Sequence, residues 1–110
     1  MPTSATSDAA IWDAAETMSR PELEELQLRR LHETVGRVLR ADGLGARRLS
    51  DAGVSGPQDI GSLSDVSRIP FMTKADLRDQ YPFGLLAVPR EELVRVHASS
   101  GTHGKPTVVG

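Results

Sequence analysis

The chain has 110 residues, with 13 lysines and arginines against 15 aspartates and glutamates, a formal net charge of −2 and no cysteine. This length fits one small unit, and the charge gives no basic surface of the kind that binds nucleic acid. No apolar run reaches the roughly 18 residues of a membrane span, no signal-peptide core follows the start, and no thiolate is available for a disulfide or metal site. We therefore expect a cytoplasmic chain without nucleic-acid or membrane partners.

Residues 1–8 carry proline, serine and threonine without periodicity, which predicts a disordered N-terminus. Asp8 can cap a short helix from Ala9 to Met18. Trp12 in this helix is expected to be a packing anchor, because large aromatic side chains usually supply buried area.

The clearest helical signal begins at Ser19, which forms a capping box with Glu22, and Pro21 is tolerated in a first turn. Apolar residues then recur at helical spacing. These residues are Leu23, Leu26, Leu31, Val35 and Val38. Gly43 and Gly45 are predicted to end this helix, and a further helical turn is expected over residues 47–52. His32 has no second ligand at metal spacing on its own stripe, so no metal site is predicted.

Short capped segments fill the middle of the chain. Ser62 with Asp65 predicts a helix over residues 63–68, and Thr73 with Asp76 predicts another over residues 74–80. Pro89 fits the first position of a helical turn that ends at Glu92. Two β-prone runs follow, at residues 93–97 and 107–109, so the loop between them should join two strands.

That loop lies within His97 to Gly110, which reads HASSGTHGKPTVVG. Glycines let backbone N–H groups converge on one anion, and hydroxyls and a lysine add donors and charge. Only two residues separate Gly101 from Gly104, and Pro106 follows Lys105, whereas the Walker A loop has four residues between its glycines and opens into a helix. The residues by themselves leave two alternatives open, a phosphate-binding loop and a flexible polar hairpin loop.

The segment SSGTHGKPTVVG resembles the SSGTTGKPTVVG signature of phenylacetate–coenzyme A ligases, in the adenylate-forming superfamily. The run RIPFMTKADLRDQYPFGLLAVPREELVRVHASSGT, from Arg68 to Thr102, is similar to the family's FPFTTKDDLRDNYPFG and AVPRE elements in the same order. The resemblance covers about Glu16 to Gly110. One departure lies in the loop, where His103 replaces the usual threonine.

The resemblance implies that an aryl carboxylate and ATP form an acyl-adenylate, which coenzyme A then converts to a thioester. It implies ATP, Mg2+ and coenzyme A as cofactor and co-substrates, with a possible homodimer in the intact family. No catalytic residue or metal ligand is assigned. The positions that match the loop binding the β- and γ-phosphates are Ser99, Ser100, Gly101, Thr102, His103, Gly104, Lys105 and Thr107.

The expected architecture is an α+β fragment, with a mainly helical N-terminal part followed by a strand–phosphate loop–strand element. Residues 9–110 would be the truncated N-terminal portion of an AMP-binding (adenylation) domain that is inactive alone. Two alternatives stay open: another adenylating enzyme of the same family, such as a coenzyme F390 synthetase-like protein, and a stand-alone helical interaction module. In the module, the leucine stripe would pack on a partner and the loop would be incidental.

Overall fold

The computed structural model describes residues 10–101, 104 and 106–110. Helix α1, Arg20–Ala41, begins at the predicted capping box. The backbone N–H of Ser19 donates to the Glu22 carboxylate at 2.9 Å, and the Ser19 hydroxyl accepts from the Glu22 N–H at 3.5 Å. These bonds satisfy donors that a helix start otherwise leaves without partners, so the local sequence fixes where α1 begins.

Helix α1 ends at Ala41, where Asp42 adopts a left-handed φ of 54°, and helix α2 spans Leu44–Asp51. The prediction that Gly45 ends the first helix is wrong, because Gly45 lies inside α2. A Cβ at Gly45 would stand 2.8 Å from Cγ1 of Val38 on α1. This glycine therefore permits a close approach between the two helices.

The core lies where α1 and α2 meet the segment that follows them. Val35, Leu49, Val54 and Ile60 form its buried centre, and Ile60 is only 1% exposed. Partly buried apolar side chains surround it: Leu28, Leu31, Val38, Leu39 and Ile69. Much of the predicted apolar stripe of α1 thus packs within this chain.

His32 lies beside this core. Its Nε2 is 2.6 Å from the carbonyl oxygen of Ile60. Because a carbonyl oxygen only accepts, Nε2 carries the proton and donates. His32 thereby ties α1 to the chain 28 residues further on.

The N-terminal segment differs from the prediction. A 3-10 turn spans Ala14–Thr17 and is capped by Asp13, whose carboxylate accepts from the Ala15 N–H at 2.8 Å. Trp12, just before that cap, is 95% exposed, so the expectation of a packing anchor is wrong in this structure. Because the cap is Asp13, the turn begins after Trp12, and the Trp12 indole lies outside the core.

The remaining elements are short. The 3-10 turns span Pro57–Asp59, Leu63–Arg68 and Arg90–Glu92, and helix α3 spans Lys74–Asp79. Strands β1, His97–Ser99, and β2, Thr107–Val109, pair antiparallel, with Ala98 opposite Val108. This confirms a mainly helical chain that ends in a strand–loop–strand element.

The first strand starts at His97 instead of Leu93. The Leu93 N–H donates to the Arg90 carbonyl at 3.1 Å and closes the preceding 3-10 turn. Since His97 already pairs with Val109, residues 93–95 have no opposing residue in β2. Val94 is accordingly 92% exposed.

The chain is elongated, with a radius of gyration of 19.1 Å. A compact domain of this size has a radius of about 13 Å. In the part of the chain that the structure describes, no helix combines the length and apolar character needed to cross a membrane.

Candidate functional site

The candidate site is the β1–β2 hairpin and its loop. Ser99 and Thr107 stand opposite each other in the register, and their hydroxyl groups share a hydrogen bond. Ser99, Ser100 and Gly101 are exposed, whereas Thr107 is half-buried. The hairpin thus exposes Ser99 and Ser100 at the point where β1 ends.

Gly104 holds the loop in a conformation that favours glycine. Its φ is +97°, and no described atom lies within 4 Å of the place where a Cβ would stand. A positive φ lets neighbouring backbone N–H groups converge on an anion, and residues with a Cβ rarely adopt it. Thr102, His103 and Lys105 lie outside the described residues. Of the predicted set, the structure brings Ser99 and Thr107 into contact and describes Ser100, Gly101 and Gly104 in the loop between their strands.

The hairpin rests on α3 and on the segment after it. Leu77 of α3 and Leu86 line a cleft of about 300 Å3 together with Val108 of β2. At the end of β2, a Cβ on Gly110 would stand 2.8 Å from Cδ2 of Leu93 and 3.3 Å from Cδ1 of Leu86. The end of β2 therefore lies close to the leucine side chains at 86 and 93.

Helix α3 is itself fixed by an ion pair with α2. Arg48 Nη2 lies 2.6 Å from Asp76 Oδ1, and Arg48 Nη1 lies 2.7 Å from Asp76 Oδ2, a two-pronged arrangement. The Arg48 guanidinium, followed by the Thr73 backbone N–H, lowers the pKa of Asp76 below its ordinary value of 3.8. The Asp76 carboxylate is therefore ionised at neutral pH.

An apolar cavity of about 250 Å3 lies beneath this ion pair. It is bounded by α1, α2 and the segments at 69–72 and 84–87. Val35, Leu49 and Leu86 are among its lining residues, and Arg48 stands among them as well. Across the described ranges, no group of three His, Cys, Asp or Glu side chains could hold a metal ion.

Comparison with curated proteins gives several relatives with the same name. The match is to phenylacetate–coenzyme A ligases. The chain is 56% identical over 95 residues to the enzyme of Thermus thermophilus, 53% over 95 residues to that of Aromatoleum evansii and 50% over 98 residues to that of Escherichia coli. The matches to the Thermus and Aromatoleum enzymes each cover 86% of the chain and 21% of the relative. The match to the Escherichia coli enzyme covers 89% of the chain and 22% of the relative.

These relatives confirm the resemblance inferred from the loop and the Arg68–Thr102 run. The chain spans about a fifth of the length of the curated relatives it matches. No family model matches the chain.

Sequence reasoning missed the Arg48–Asp76 pair. Asp76 was identified only as part of the α3 capping box, a role it does have, since its Oδ2 accepts from the Thr73 N–H at 2.7 Å. Arg48 lies 28 residues earlier and carries no local signal that points to Asp76. An isolated arginine on a short helix is ordinarily a solvated side chain.

Proposed function

We propose that residues 9–110 are part of the AMP-binding (adenylation) domain of an ATP-dependent phenylacetate–coenzyme A ligase, and that the β1–β2 loop binds the β- and γ-phosphates of ATP. The observation that carries the proposal is the match to enzymes of that name over nearly nine-tenths of the chain. The positive φ of Gly104 and the exposed serine hydroxyls support an anion site.

The donor chemistry of the loop suits phosphate oxygens. Ser99 and Ser100 offer hydroxyl donors, backbone N–H groups around Gly101 and Gly104 offer further donors, and Lys105 supplies a positive charge. Hydroxyls and N–H groups do not form a carboxylate cage for Mg2+, so the ion would arrive bound to the nucleotide. Mg2+ supplies charge neutralisation on the phosphates.

In the reaction, a carboxylate oxygen of the aryl acid attacks the α-phosphorus of ATP, and the bond to the pyrophosphate oxygen breaks. The thiol of coenzyme A then displaces AMP and forms the thioester. The loop acts in the first step, where donors aimed at the β- and γ-phosphates stabilise the negative charge that develops on the leaving pyrophosphate. Lys105 acts as a point charge there.

Among the alternatives, the stand-alone interaction module is disfavoured by packing. The module needs the leucine stripe of α1 to be free for a partner, but Leu26 and Val35 are buried within the chain and Leu31 and Val38 pack against its core. A coenzyme F390 synthetase-like activity differs in the acid it activates, and the relatives reported above carry the phenylacetate name.

The test uses a hybrid enzyme, the segment-exchanged ligase. In it, this chain replaces the matching segment of the Escherichia coli ligase, to which it is 50% identical over 98 residues. We expect AMP formation that depends on phenylacetate, ATP and coenzyme A, and no such activity from the 110-residue chain alone. Lys105→Gln should raise the KM for ATP. The matched control is Lys74→Gln, which removes an exposed lysine at the start of α3 and should leave that KM unchanged.

Two results would contradict the proposal. One is a folded, segment-exchanged enzyme without phenylacetate-dependent AMP formation. The other is an ATP KM that does not change when Gly101, Thr102 and Lys105 are all replaced by bulky neutral residues.

A further inference from the structure

The Arg48–Asp76 ion pair stands out because it joins two helices that residues 52–73 separate in the sequence. The Arg48 side chain is 32% exposed and that of Asp76 is 13% exposed. Arg48 Nη1 also donates to the carbonyl oxygen of Phe71 at 3.1 Å. One guanidinium thus holds both the start of α3 and the backbone that leads to it.

Asp76 performs two tasks with one carboxylate. Its Oδ2 accepts from the Thr73 N–H at 2.7 Å and from the Thr73 hydroxyl at 3.0 Å, while both oxygens accept from Arg48. The first task fixes where α3 begins, and the second fixes where α3 lies relative to α2. A planar guanidinium that binds both oxygens sets an orientation as well as a distance.

Helix α3 is in turn the support of the hairpin. Helix α3 lies next to β2, and Leu77, the residue after Asp76, lines the same cleft as Val108 of β2. The position of β2 therefore depends in part on where α3 lies. A sheet of two three-residue strands is too small to hold a fixed position by itself.

From this arrangement we propose that Arg48 and Asp76 are positioning residues, which set where the β1–β2 loop stands relative to the helical part of the chain. Neither is hydrogen-bonded to a described residue of the loop, so they act through α3 and Leu77. The consequence for ATP rests on the proposed function, whereas the consequence for the hairpin does not.

The experiment has two readouts and one set of variants. Hydrogen exchange of the backbone amides at 97–99 and 107–109 is measured on the 110-residue chain. The kcat/KM for ATP is measured on the segment-exchanged ligase. The variants are Arg48→Met, Arg48→Lys and Asp76→Asn. The matched control is Asp59→Asn, since the Asp59 carboxylate also caps a turn, accepting from the Ser55 N–H at 2.8 Å, but is not bound by Arg48.

We expect Arg48→Met and Asp76→Asn to speed hairpin exchange and to lower kcat/KM for ATP by about tenfold or more, since small misplacements far from the reacting atoms are costly. Arg48→Lys should have smaller effects on hairpin exchange and on kcat/KM than Arg48→Met, because lysine keeps the positive charge but cannot bind both carboxylate oxygens as a guanidinium does. Asp59→Asn should lower stability while leaving hairpin exchange and ATP kinetics close to the parent.

Equal effects of Arg48→Met and Asp59→Asn on the hairpin would overturn the inference, because both variants would then act through stability alone. Unchanged hairpin exchange in Arg48→Met would overturn it as well. Faster hairpin exchange in Arg48→Met with an ATP KM that is insensitive to Lys105→Gln would support the positioning role and reject the proposed function.

Discussion

Gly104 gives the sharpest test of the loop, because its φ of +97° lies where side chains are strained and no described atom crowds the missing Cβ. In Gly104→Ala the cost is therefore one of backbone conformation, not of collision. A left-handed conformation costs an L-residue about 1–2 kcal/mol. If phosphate binding requires this conformation and the free loop of the alanine variant relaxes out of it, ATP binding must restore it, which corresponds to about 5- to 30-fold weaker ATP affinity.

Gly53 supplies a control with matched geometry. Its φ is +82°, and again no described atom lies within 4 Å of its would-be Cβ, but it stands in the turn after α2. Gly53→Ala should therefore carry a similar backbone strain and a similar change in the unfolded chain. Thermal unfolding of both variants measures the shared strain, and ATP titration of the segment-exchanged ligase measures the effect specific to the loop.

The two variants are expected to differ in their affinity for ATP. Gly104→Ala should weaken ATP binding, whereas Gly53→Ala should lower stability and leave ATP affinity at the parent value. Equal ATP affinities for Gly104→Ala and the parent would show that phosphate binding does not use this backbone conformation.

The core, the loop histidine and the ion pair each give one further expectation. Ile60→Ala should lower the free energy of unfolding by about 2–5 kcal/mol, and Val94→Ala, at an exposed position, should change it by less than about 0.5 kcal/mol; urea denaturation measures both. In the segment-exchanged ligase, His103→Thr should make ATP affinity tighter and less dependent on pH near neutrality, and equal affinities at every pH would contradict this. Because the Arg48 guanidinium lowers the pKa of Asp76, the stabilisation from ionised Asp76 should be complete above its ordinary value of 3.8 and be lost as the pH falls below it. Asp76→Asn should remove this acid dependence from urea denaturation curves.

The features that could be predicted from the sequence are those that depend on neighbours three or four residues away. The capping boxes at Ser19 and Thr73 involve residues within one turn, so their donors and acceptors can be identified from spacing alone. The position of β2 also follows from a short β-prone run after a glycine-containing loop.

The features that could not be predicted depend on distant partners. Trp12 is large and apolar, but a tendency to be buried does not specify which surface would cover it. The strand prediction failed at Val94 for a related reason, since a strand needs an opposing strand as well as β-prone residues. Arg48 and Asp76 required knowledge of how α2 and α3 pack.

The same distinction bears on the candidate site. Glycines and hydroxyls give the loop its local chemistry, but two strands of three residues contribute little stability of their own. The neighbours that can position the hairpin are α3, Leu86 and Leu93, and under the proposal above the Arg48–Asp76 ion pair holds α3 in place. If the proposed function is right, phosphate binding by this loop depends on residues far from it in the chain as well as on its own glycines and hydroxyls.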